Sequence, residues 1–231
     1  AYCPSPYRAL AKVDLDQRLP RDLYEEQLVE AQSRLHRLFW LAYEKRISTS
    51  LVFEGWDAAG KGGAIRRATA AIDPRLYRIV QVGPPTLEEH SYHYLWRFWR
   101  DLPRDGRITI FDRSWYGRVL VERIEGFAKD EEWQRAYAEI NEFEREMTQH
   151  GSVLLKFWIH ISKEKQLNRF RSRQEIPFKQ HKITDDDWRN RERWDDYEVA
   201  VNDMVAYTSG KGTAWSLVSG NNKRFARIQT I

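Results

Sequence analysis

A glycine-rich segment between a short apolar run and a helix-forming run constrains the fold of this chain more than any other feature. Residues 50–53 are typical of a buried strand, and residues 61–72 favour a helix. Between them, Gly55 and the pair Gly60-Lys61 match G-x-x-x-x-G-K, the spacing of a loop that wraps phosphate. The pattern predicts a strand, a phosphate-binding loop and a helix in succession, and a plain glycine-rich turn is the alternative.

A loop of this kind points backbone N–H groups and the start of a helix at phosphate oxygens, and its lysine adds a positive charge. The residues expected to contact phosphate are Gly55, Ala58, Ala59, Gly60, Lys61, Gly62, Gly63 and Arg67. The hydroxyl residue that usually follows the lysine and holds a metal ion is missing, because Gly62 occupies its place.

Two aspartates are candidates for the metal-binding role. Asp57 lies inside the loop, and Asp112 follows the apolar run Ile-Thr-Ile-Phe of a predicted strand. Mg²⁺ prefers oxygen ligands, usually one or two carboxylates with water and phosphate oxygens, and P-loop proteins place such an acid after a strand. We therefore predict that Asp57 and Asp112 bind Mg²⁺, with Mn²⁺ as an alternative metal. Asp57 could instead stabilise a turn, and Asp112 could cap the helix predicted near Ser114.

Strand-like and helix-like segments alternate along the rest of the chain. Further strands are predicted at residues 77–82, 107–111, 153–159 and 215–218. Such alternation predicts an α/β fold in which a parallel sheet is covered by helices on both faces, with right-handed crossovers. We expect residues 1–231 to form a single domain, with a charged lid inserted at about residues 165–193.

Helix starts are marked by capping signals at Thr86, Ser162 and Thr184. The first predicts a helix to about residue 100, and the last predicts a helix to about residue 208. Three aromatic residues of the first helix share helical spacing and are expected in the core: Tyr92, Trp96 and Trp99.

Composition excludes several classes of protein. The 231 residues are 42% hydrophobic and 31% charged, which fits a globular domain with a core. A single cysteine allows no disulfide framework and no cysteine metal site, so a cytoplasmic location is expected. No run of about 18 uncharged apolar residues exists, so no contact with a membrane is expected. The net charge of +4 alone is weak support for an anionic partner.

Positive charge is concentrated in the predicted lid. Residues 165–193 contain nine Lys or Arg and five Asp or Glu, so this segment alone carries the net charge of the whole chain. Arg169 and Arg173 are one helical turn apart and can point at one anion, where we expect them to stabilise a transition state. A solvated helix face with interleaved ion pairs is the alternative.

Four ordered motifs resemble the second polyphosphate kinase family, which phosphorylates nucleotides. They are EGWDAAGKGGAIRR (residues 54–67), FDRSWYGRVLVERIEGF (111–127), SKEKQLNRFRSRQEIPFKQHKI (162–183) and RERWDDY (191–197). The resemblance covers almost everything after about residue 21. It implies a P-loop kinase-like fold with a helical lid, and Mg²⁺-dependent transfer of a terminal phosphoryl group between inorganic polyphosphate and a nucleotide.

The resemblance also implies roles for individual residues. Lys61, Asp112, Arg113 and Arg118 match the catalytic core of the family, and an aspartate at position 57 is a family habit that supports metal binding. Residues of the lid match its basic positions: Arg169, Arg173, Lys179 and Lys182. The motif at residues 117–127 resembles the subgroup that prefers AMP. The loop resembles the second half of its fused two-domain members, so the chain is expected to be part of a longer protein.

Some positions depart from the family pattern. His181 stands where Trp is frequent, Arg171 where an acid is common, and Asn221-Asn222 where an acid is also frequent. These departures bear on substrate preference rather than on the reaction.

Three functions remain open at this point. The first is a polyphosphate:nucleotide phosphotransferase with inorganic polyphosphate and AMP or ADP as partners. The second is an ATP-dependent nucleoside monophosphate kinase, and the third is a non-catalytic binder of polyphosphate or nucleic acid. A metal site and a complete phosphate loop are not needed to track a nucleic acid strand, so no specific nucleic acid is expected. Apolar positions on the early helices suit a homo-oligomer contact as well as a core.

Overall fold

The fold is built on one sheet of parallel strands. The computed structural model describes residues 2–231, except for the side chains of Lys179 and Lys182. The strand bounds are β1 (Thr49–Gly55), β2 (Tyr77–Gln81), β3 (Ile108–Asp112), β4 (Val153–His160) and β5 (Trp215–Ser219). The strands lie in the order β2-β3-β1-β4-β5 and pair in parallel throughout. The strands predicted from the sequence are confirmed.

The central strands place the two predicted metal ligands at one edge of the sheet. The first six residues of β1 and the first four of β3 are buried, as expected for strands covered on both faces. Phe53 pairs with Asp112 in the parallel register. The glycine loop that follows β1 and the acid that ends β3 therefore leave the sheet side by side.

Helices cover both faces of the sheet. Their bounds are α1 (Arg21–Glu44), α2 (Lys61–Thr69), α3 (Leu87–His90), α4 (Trp96–Trp99), α5 (Val121–Ile124), α6 (Asp130–Gln149), α7 (Lys163–Glu175), α8 (Asp185–Glu192), α9 (Trp194–Thr208) and α10 (Lys223–Thr230). Helices α1, α2 and α10 contact one another, whereas α6 contacts β4 and α9. The three-layer α/β fold is confirmed. Within residues 2–231 no helix is long and apolar enough to cross a membrane.

The capping signals lie where the sequence predicts them. Thr86 Oγ1 accepts a hydrogen bond from the backbone N–H of Glu89 at 3.2 Å, and the Glu89 side chain accepts from the backbone N–H of Thr86 at 2.9 Å. Thr184 begins α8 with the same reciprocal arrangement. Ser162 Oγ accepts from the backbone N–H of Lys165 at 3.1 Å and begins α7. All three predicted helix starts are confirmed.

The continuous helix predicted over residues 86–100 is wrong. Helix α3 ends at His90, and α4 does not begin until Trp96. The aromatic residues are also not core residues, because 52% of Tyr92 and 45% of Trp99 are exposed and Trp96 is half-buried. Tyr92 stacks on Trp96 with 4.1 Å between ring centroids, and Trp99 meets Phe143 edge-on at 4.9 Å. These rings cover one another at the surface and do not fill the interior.

The helix predicted from Thr184 to residue 208 is broken into α8 and α9. The break lies at Arg193, whose φ of −94° and ψ of 26° depart from helical values. The next residue, Trp194, stacks on Trp56 with ring centroids 3.7 Å apart and an interplanar angle of 9°. This tertiary contact accompanies the loss of helical continuity, as packing routinely overrides propensity.

The predicted lid segment contains α7, the 3-10 helix Pro177–Lys182 and α8, all of which lie between β4 and β5 in the chain. Its function as a lid stays a prediction.

Candidate active site at the carboxyl edge of the sheet

The loop after β1 has a backbone that depends on glycine. Gly55 has a φ of 149°, and a Cβ there would lie 2.6 Å from the carbonyl oxygen of Ile159. Gly60 has a φ of 115° and directly precedes α2, while Ala58 holds a left-handed φ of 59°. The chain therefore turns sharply and presents the start of α2 to the edge of the sheet, as a phosphate-binding loop requires.

Lys61 begins α2 directly after this loop, and its side chain reaches back to the loop. Its Nζ donates to the carbonyl oxygens of Gly55 at 2.8 Å and Trp56 at 3.4 Å. Burial lowers the pKa of Lys61, and the positive charge of Arg113 lowers it further, while Asp57 and Asp112 act in the opposite direction. Both predicted metal ligands are thus close enough to Lys61 to affect its pKa.

Asp57 is held by two side chains from distant parts of the chain. Arg113 Nη2 donates to Asp57 Oδ1 at 3.1 Å, and Asn190 Nδ2 donates to Asp57 Oδ2 at 3.0 Å. The Asp57 side chain is 14% exposed. Arg113 itself has a left-handed φ of 66°, which directs it back over the loop from the end of β3.

Asp112 and Asp57 fit a divalent cation. The Asp112 carboxylate makes no hydrogen bond or ion pair with the part of the chain that the structure describes, so its oxygens can accept a ligand. No cluster of three or more His, Cys, Asp or Glu that could hold a metal occurs among the described residues. Two carboxylates suffice for Mg²⁺ when phosphate and water supply the remaining oxygens. A Cβ at Gly62 would meet nothing within 4 Å, which leaves room for phosphate beside the loop.

A third acid, Glu54, lies beneath the loop. It is 5% exposed, and burial raises its pKa to about 7 in spite of the opposing charges of Lys61 and Arg113. Ser114 Oγ donates to Glu54 Oε1 at 2.8 Å. This bond joins the end of β1 to the segment after β3 that carries Arg113.

A small cavity of about 70 Å³ lies beside Asp57. Arg113, Leu120, Trp158 and Tyr197 are among its lining residues. The cavity joins a carboxylate and a guanidinium to apolar and aromatic walls, and its volume is far below the roughly 300 Å³ of a typical ligand pocket.

The sequence matches the family model described as polyphosphate kinase 2 (PPK2) over residues 18–231. The chain belongs to the polyphosphate kinase 2 family. It is 53% identical over 222 residues to a polyphosphate:AMP phosphotransferase of Pseudomonas aeruginosa, covering 96% of this chain and 45% of that protein. It is 39% identical over 214 residues to ADP-polyphosphate phosphotransferase 2 of Rhizobium meliloti, covering 92% of this chain and 70% of the relative.

Solved structures of polyphosphate kinase 2 proteins have the same fold. One from Pseudomonas aeruginosa superposes with a TM-score of 0.93 at 53% identity, covering 95% of this chain and 47% of that chain. Another from Arthrobacter aurescens gives 0.91 at 32% identity, covering 96% and 81%. The chain spans slightly less than half the length of the polyphosphate:AMP phosphotransferases that it matches.

The arginines that match functional positions of the polyphosphate kinase 2 family lie in different environments. Arg118 Nε lies 3.2 Å from Glu122 Oε2, and the Arg118 guanidinium stacks over the ring of Tyr94 at 4.5 Å. Arg169 is 8% exposed and donates to carbonyl oxygens of the loop, reaching Ala58 at 2.9 Å and Ala59 at 2.7 Å.

Two further arginines complete this group. Arg173 is near enough to Arg169 to lower its pKa, and the action of this pair on one anion stays a prediction. Arg67 lies about 9 Å farther along α2 than Lys61, at 1.5 Å per residue, so contact with phosphate in the loop requires its full side-chain length. The side chains of Lys179 and Lys182 fall outside the described part of the structure.

Sequence reasoning missed four residues that hold the loop in this polyphosphate kinase 2 domain. Trp56 Nε1 donates to His160 Nδ1 at 2.9 Å, and Gln166 Nε2 donates to the carbonyl oxygen of Asp57 at 3.2 Å. Tyr197 Oη donates at 3.2 Å to Asn190 Oδ1, which orients the amide that holds Asp57. A signal was present for Trp56, Gln166 and Tyr197, since each lies within one of the four motifs, whereas Asn190 lies outside all of them.

Proposed function

We propose that this domain moves the terminal phosphoryl group of inorganic polyphosphate onto AMP, forming ADP. The observation that carries the proposal is the grouping of Asp57, Lys61 and Asp112 where β1 and β3 leave the sheet. Support for the donor and acceptor comes from the polyphosphate:AMP phosphotransferases that are 52% and 53% identical to the chain. The bond between the terminal phosphorus and its bridging oxygen breaks, and an AMP phosphate oxygen forms the new bond.

Asp57 and Asp112 are the residues that would hold Mg²⁺, with Mn²⁺ as an alternative. A divalent cation held there would supply positive charge that neutralises phosphate oxygens. Asp112 offers its carboxylate directly, whereas Asp57 must share or release Arg113 and Asn190. When Arg113 leaves the Asp57 carboxylate, its guanidinium can pair with the phosphates instead.

Besides the metal, positively charged side chains would position the phosphates and stabilise their negative charge. The catalytic residues in this proposal are Asp57, Lys61, Asp112, Arg113, Arg118, Arg169 and Arg173. The residues that bind the phosphates of the donor are Gly55, Ala58, Ala59, Gly60, Lys61, Gly62, Gly63, Arg67, Lys179 and Lys182. Phosphoryl transfer needs positioning and charge rather than covalent chemistry from the protein.

The acceptor needs no general base. A phosphate monoester has a second pKa near ~6, so AMP presents an ionised oxygen at neutral pH. We place the phosphate of the acceptor at the cavity beside Asp57, because Arg113 lines that cavity and can pair with the phosphate. This places the AMP oxygen on the acidic side of the loop, next to the residues that bind the donor.

The test is a comparison of donors with one acceptor. The purified chain is mixed with Mg²⁺, AMP and either long-chain polyphosphate or ATP, and ADP formation is followed by ion-exchange chromatography. We expect ADP from polyphosphate at a rate that exceeds the rate with ATP. Turnover with ATP as donor but not with polyphosphate would identify a nucleoside monophosphate kinase instead. No turnover with either donor would leave a non-catalytic binder of polyphosphate or nucleic acid as the remaining function.

Self-association and a cytoplasmic location also stay predictions. Exposed apolar side chains on α1 support the first: Leu23, Val29, Leu38 and Leu41. Sedimentation velocity over a range of concentrations tests it, and a single monomeric species at all concentrations would exclude it. The single cysteine supports the predicted cytoplasmic location.

A further inference from the structure

Helix α8 of the predicted lid segment reaches Asp57 by two routes. Asn190 Nδ2 donates directly to the Asp57 carboxylate, 3.0 Å from Oδ2. Arg191 Nη1 donates at 3.1 Å to Gln166 Oε1, and the Nε2 of that glutamine donates at 3.2 Å to the backbone carbonyl oxygen of Asp57. Both the side chain and the backbone of this predicted metal ligand are therefore held from α8.

The amide of Asn190 has a fixed orientation. Its Oδ1 accepts a hydrogen bond from Tyr197 Oη at 3.2 Å, so Nδ2 is the atom that faces Asp57. Tyr197 is 8% exposed and belongs to α9, whereas Asn190 is half-buried. The phenol hydroxyl can donate to the amide only through its carbonyl oxygen, which leaves the amide donor for the carboxylate.

Helix α8 is also anchored by contacts that do not involve the glycine-rich loop. Arg189 Nε donates at 2.8 Å to Glu125 Oε2, and the side chain of Glu125, directly after α5, is 10% exposed. At the start of α8, Asp187 Oδ2 accepts from the backbone N–H of Thr184 at 2.9 Å. The position of α8, and with it the position of the amide, is thus set largely from outside the loop.

The two side chains that bond to the Asp57 carboxylate differ in charge. Arg113 donates to Oδ1, and its positive charge repels a cation. Asn190 is neutral, and a carboxylate oxygen accepts more than one bond, so the amide and a metal ion can share the carboxylate. Hydrogen-bonding partners of this kind orient metal-binding carboxylates, and their loss costs roughly 10–100-fold in metal affinity.

We propose that Asn190 is a positioning residue that orients Asp57 for a divalent cation, with Tyr197 orienting Asn190 in turn. This inference rests on the proposed function for the metal-binding role of Asp57. Because Asn190 lies on α8, affinity for the cation and attachment of α8 to the loop are coupled, and each favours the other by the same factor. Loss of the amide would therefore weaken binding of the cation, and the cation would strengthen the attachment of α8.

The test uses two variants and a matched control. Asn190→Ala removes the amide that bonds to Asp57, and Tyr197→Phe removes only the hydroxyl group that orients this amide. The control is Asn141→Ala, because Asn141 Nδ2 of α6 donates at 2.8 Å to the carbonyl oxygen of Tyr207 in α9 and so also joins two elements through an amide. Tyr207 lies about 15 Å along α9 from Tyr197, away from the site. Thermal melting of all variants checks that they fold.

The first measurement is the affinity of each protein for Mn²⁺ alone, obtained from the electron paramagnetic resonance signal of the free ion. We expect Kd to rise about tenfold in Asn190→Ala and about threefold in Tyr197→Phe. The double variant should bind Mn²⁺ as Asn190→Ala does, because Tyr197 acts only through the amide. Kd of the control should stay within about twofold of the parent.

The second measurement is hydrogen–deuterium exchange of the backbone amides of α8 with and without Mn²⁺. Mn²⁺ is expected to slow this exchange in the parent and in the control but not in Asn190→Ala. The third is the Mg²⁺ concentration that gives half-maximal formation of ADP from polyphosphate and AMP. In Asn190→Ala it should rise about tenfold, while kcat at saturating Mg²⁺ stays within about threefold of the parent. Excess metal would not repair a general defect in folding.

The outcomes separate this inference from the proposed function. If the parent is active but Asn190→Ala binds Mn²⁺ as tightly as the parent or more tightly, the positioning role is overturned and the function stands. If the parent forms no ADP from polyphosphate, the proposed reaction fails, and the Mn²⁺ affinities still decide the role of Asn190.

Two further results would also decide the inference. If Asp57→Asn binds Mn²⁺ as the parent does, Asp57 is not a metal ligand and the positioning role is overturned, whereas formation of ADP still decides the reaction. If Asn190→Ala does not fold, Tyr197→Phe serves in its place, and an unchanged Kd for Mn²⁺ in that variant would overturn the inference.

Discussion

Asp57 offers the sharpest test at the scale of single residues. Asp57→Asn keeps the shape of the side chain and removes the charge that would hold a metal. We expect kcat to fall by about 10²–10³-fold because the phosphates lose the bridging positive charge. Coupled detection of ADP with polyphosphate and AMP as substrates measures this, and Asp105→Asn, an exposed carboxylate outside the site, is the matched control. Turnover within threefold of the parent would contradict metal binding by Asp57.

His160 makes stability depend on pH. Its Nδ1 accepts the Trp56 Nε1–H at 2.9 Å, and burial lowers its pKa from 6.5 to about 4. Between pH 6.5 and pH 4, His160 binds a proton in the unfolded chain but not in the folded chain. The free energy of unfolding therefore falls as pH falls through this range, and the contribution of His160 is present in full above pH 6.5. We expect the parent to lose about 2 kcal/mol through this group between pH 7 and pH 5.

Urea unfolding at pH 7 and pH 5 checks this for the parent and for His160→Gln. The variant is expected to be less stable at pH 7 but to lose less stability on acidification. An equal loss in the two proteins would show that His160 does not titrate in this way.

Spacing along the chain predicted some site residues and not others. Asp57, Lys61 and Asp112 were predicted because each follows a strand-like run at a fixed interval. Gln166 and Asn190 could not be predicted, since their bonds to Asp57 connect segments more than 100 residues apart. A single sequence records local intervals, whereas such contacts depend on the final packing of the helices.

At the scale of elements, the strands were easier to predict than the helices between them. Strand β4 is a long apolar run because most of its residues are buried. Helices α3 and α4 were merged in the prediction, since Tyr92, Trp96 and Trp99 repeat at helical spacing even though their rings lie at the surface. Helical periodicity reports which residues share a face and does not report whether anything covers that face.

A buried ion pair connects three elements around the segment that carries Arg118. Lys156 Nζ of β4 lies 2.7 Å from Glu144 Oε2 of α6, and the two side chains are 0% and 1% exposed. Tyr116 Oη donates to Glu144 Oε1 at 2.6 Å, and Lys156 Nζ also donates to the carbonyl oxygen of Thr208 at 2.8 Å. The pair therefore fixes the 3-10 helix Trp115–Val119 against β4, α6 and α9.

Glu144→Gln should be strongly destabilising because it leaves Lys156 as an uncompensated buried charge. We expect the free energy of unfolding to fall by about 3–5 kcal/mol. Glu142→Gln on the same helix is the control, since that exposed residue pairs with Arg145 at the surface and should change stability by less than about 1 kcal/mol. Urea denaturation of both variants gives the comparison, and equal effects would mean that the buried pair is not ionised.

At the scale of the whole molecule, charge is distributed unevenly over a nearly neutral chain. The net charge is +4, yet the segment of residues 165–193 alone accounts for that amount. Helices α7 and α8 bring this charge to the edge of the sheet where the glycine-rich loop lies, since Arg169 and Asn190 both contact that loop. The folded state without ligand therefore keeps like charges close together.

An anionic ligand should therefore stabilise the whole fold, even without metal. Polyphosphate that binds only the folded chain adds about 2.7 kcal/mol at a concentration of 100 times Kd. For a domain of this size that corresponds to a rise in Tm of about 5–10 °C. Differential scanning fluorimetry in EDTA measures the shift, with orthophosphate at matched ionic strength as the control. Since the loop and the lid meet only in the folded chain, a Tm that responds equally to both salts would mean that the positive charge at this edge does not form a polyphosphate site.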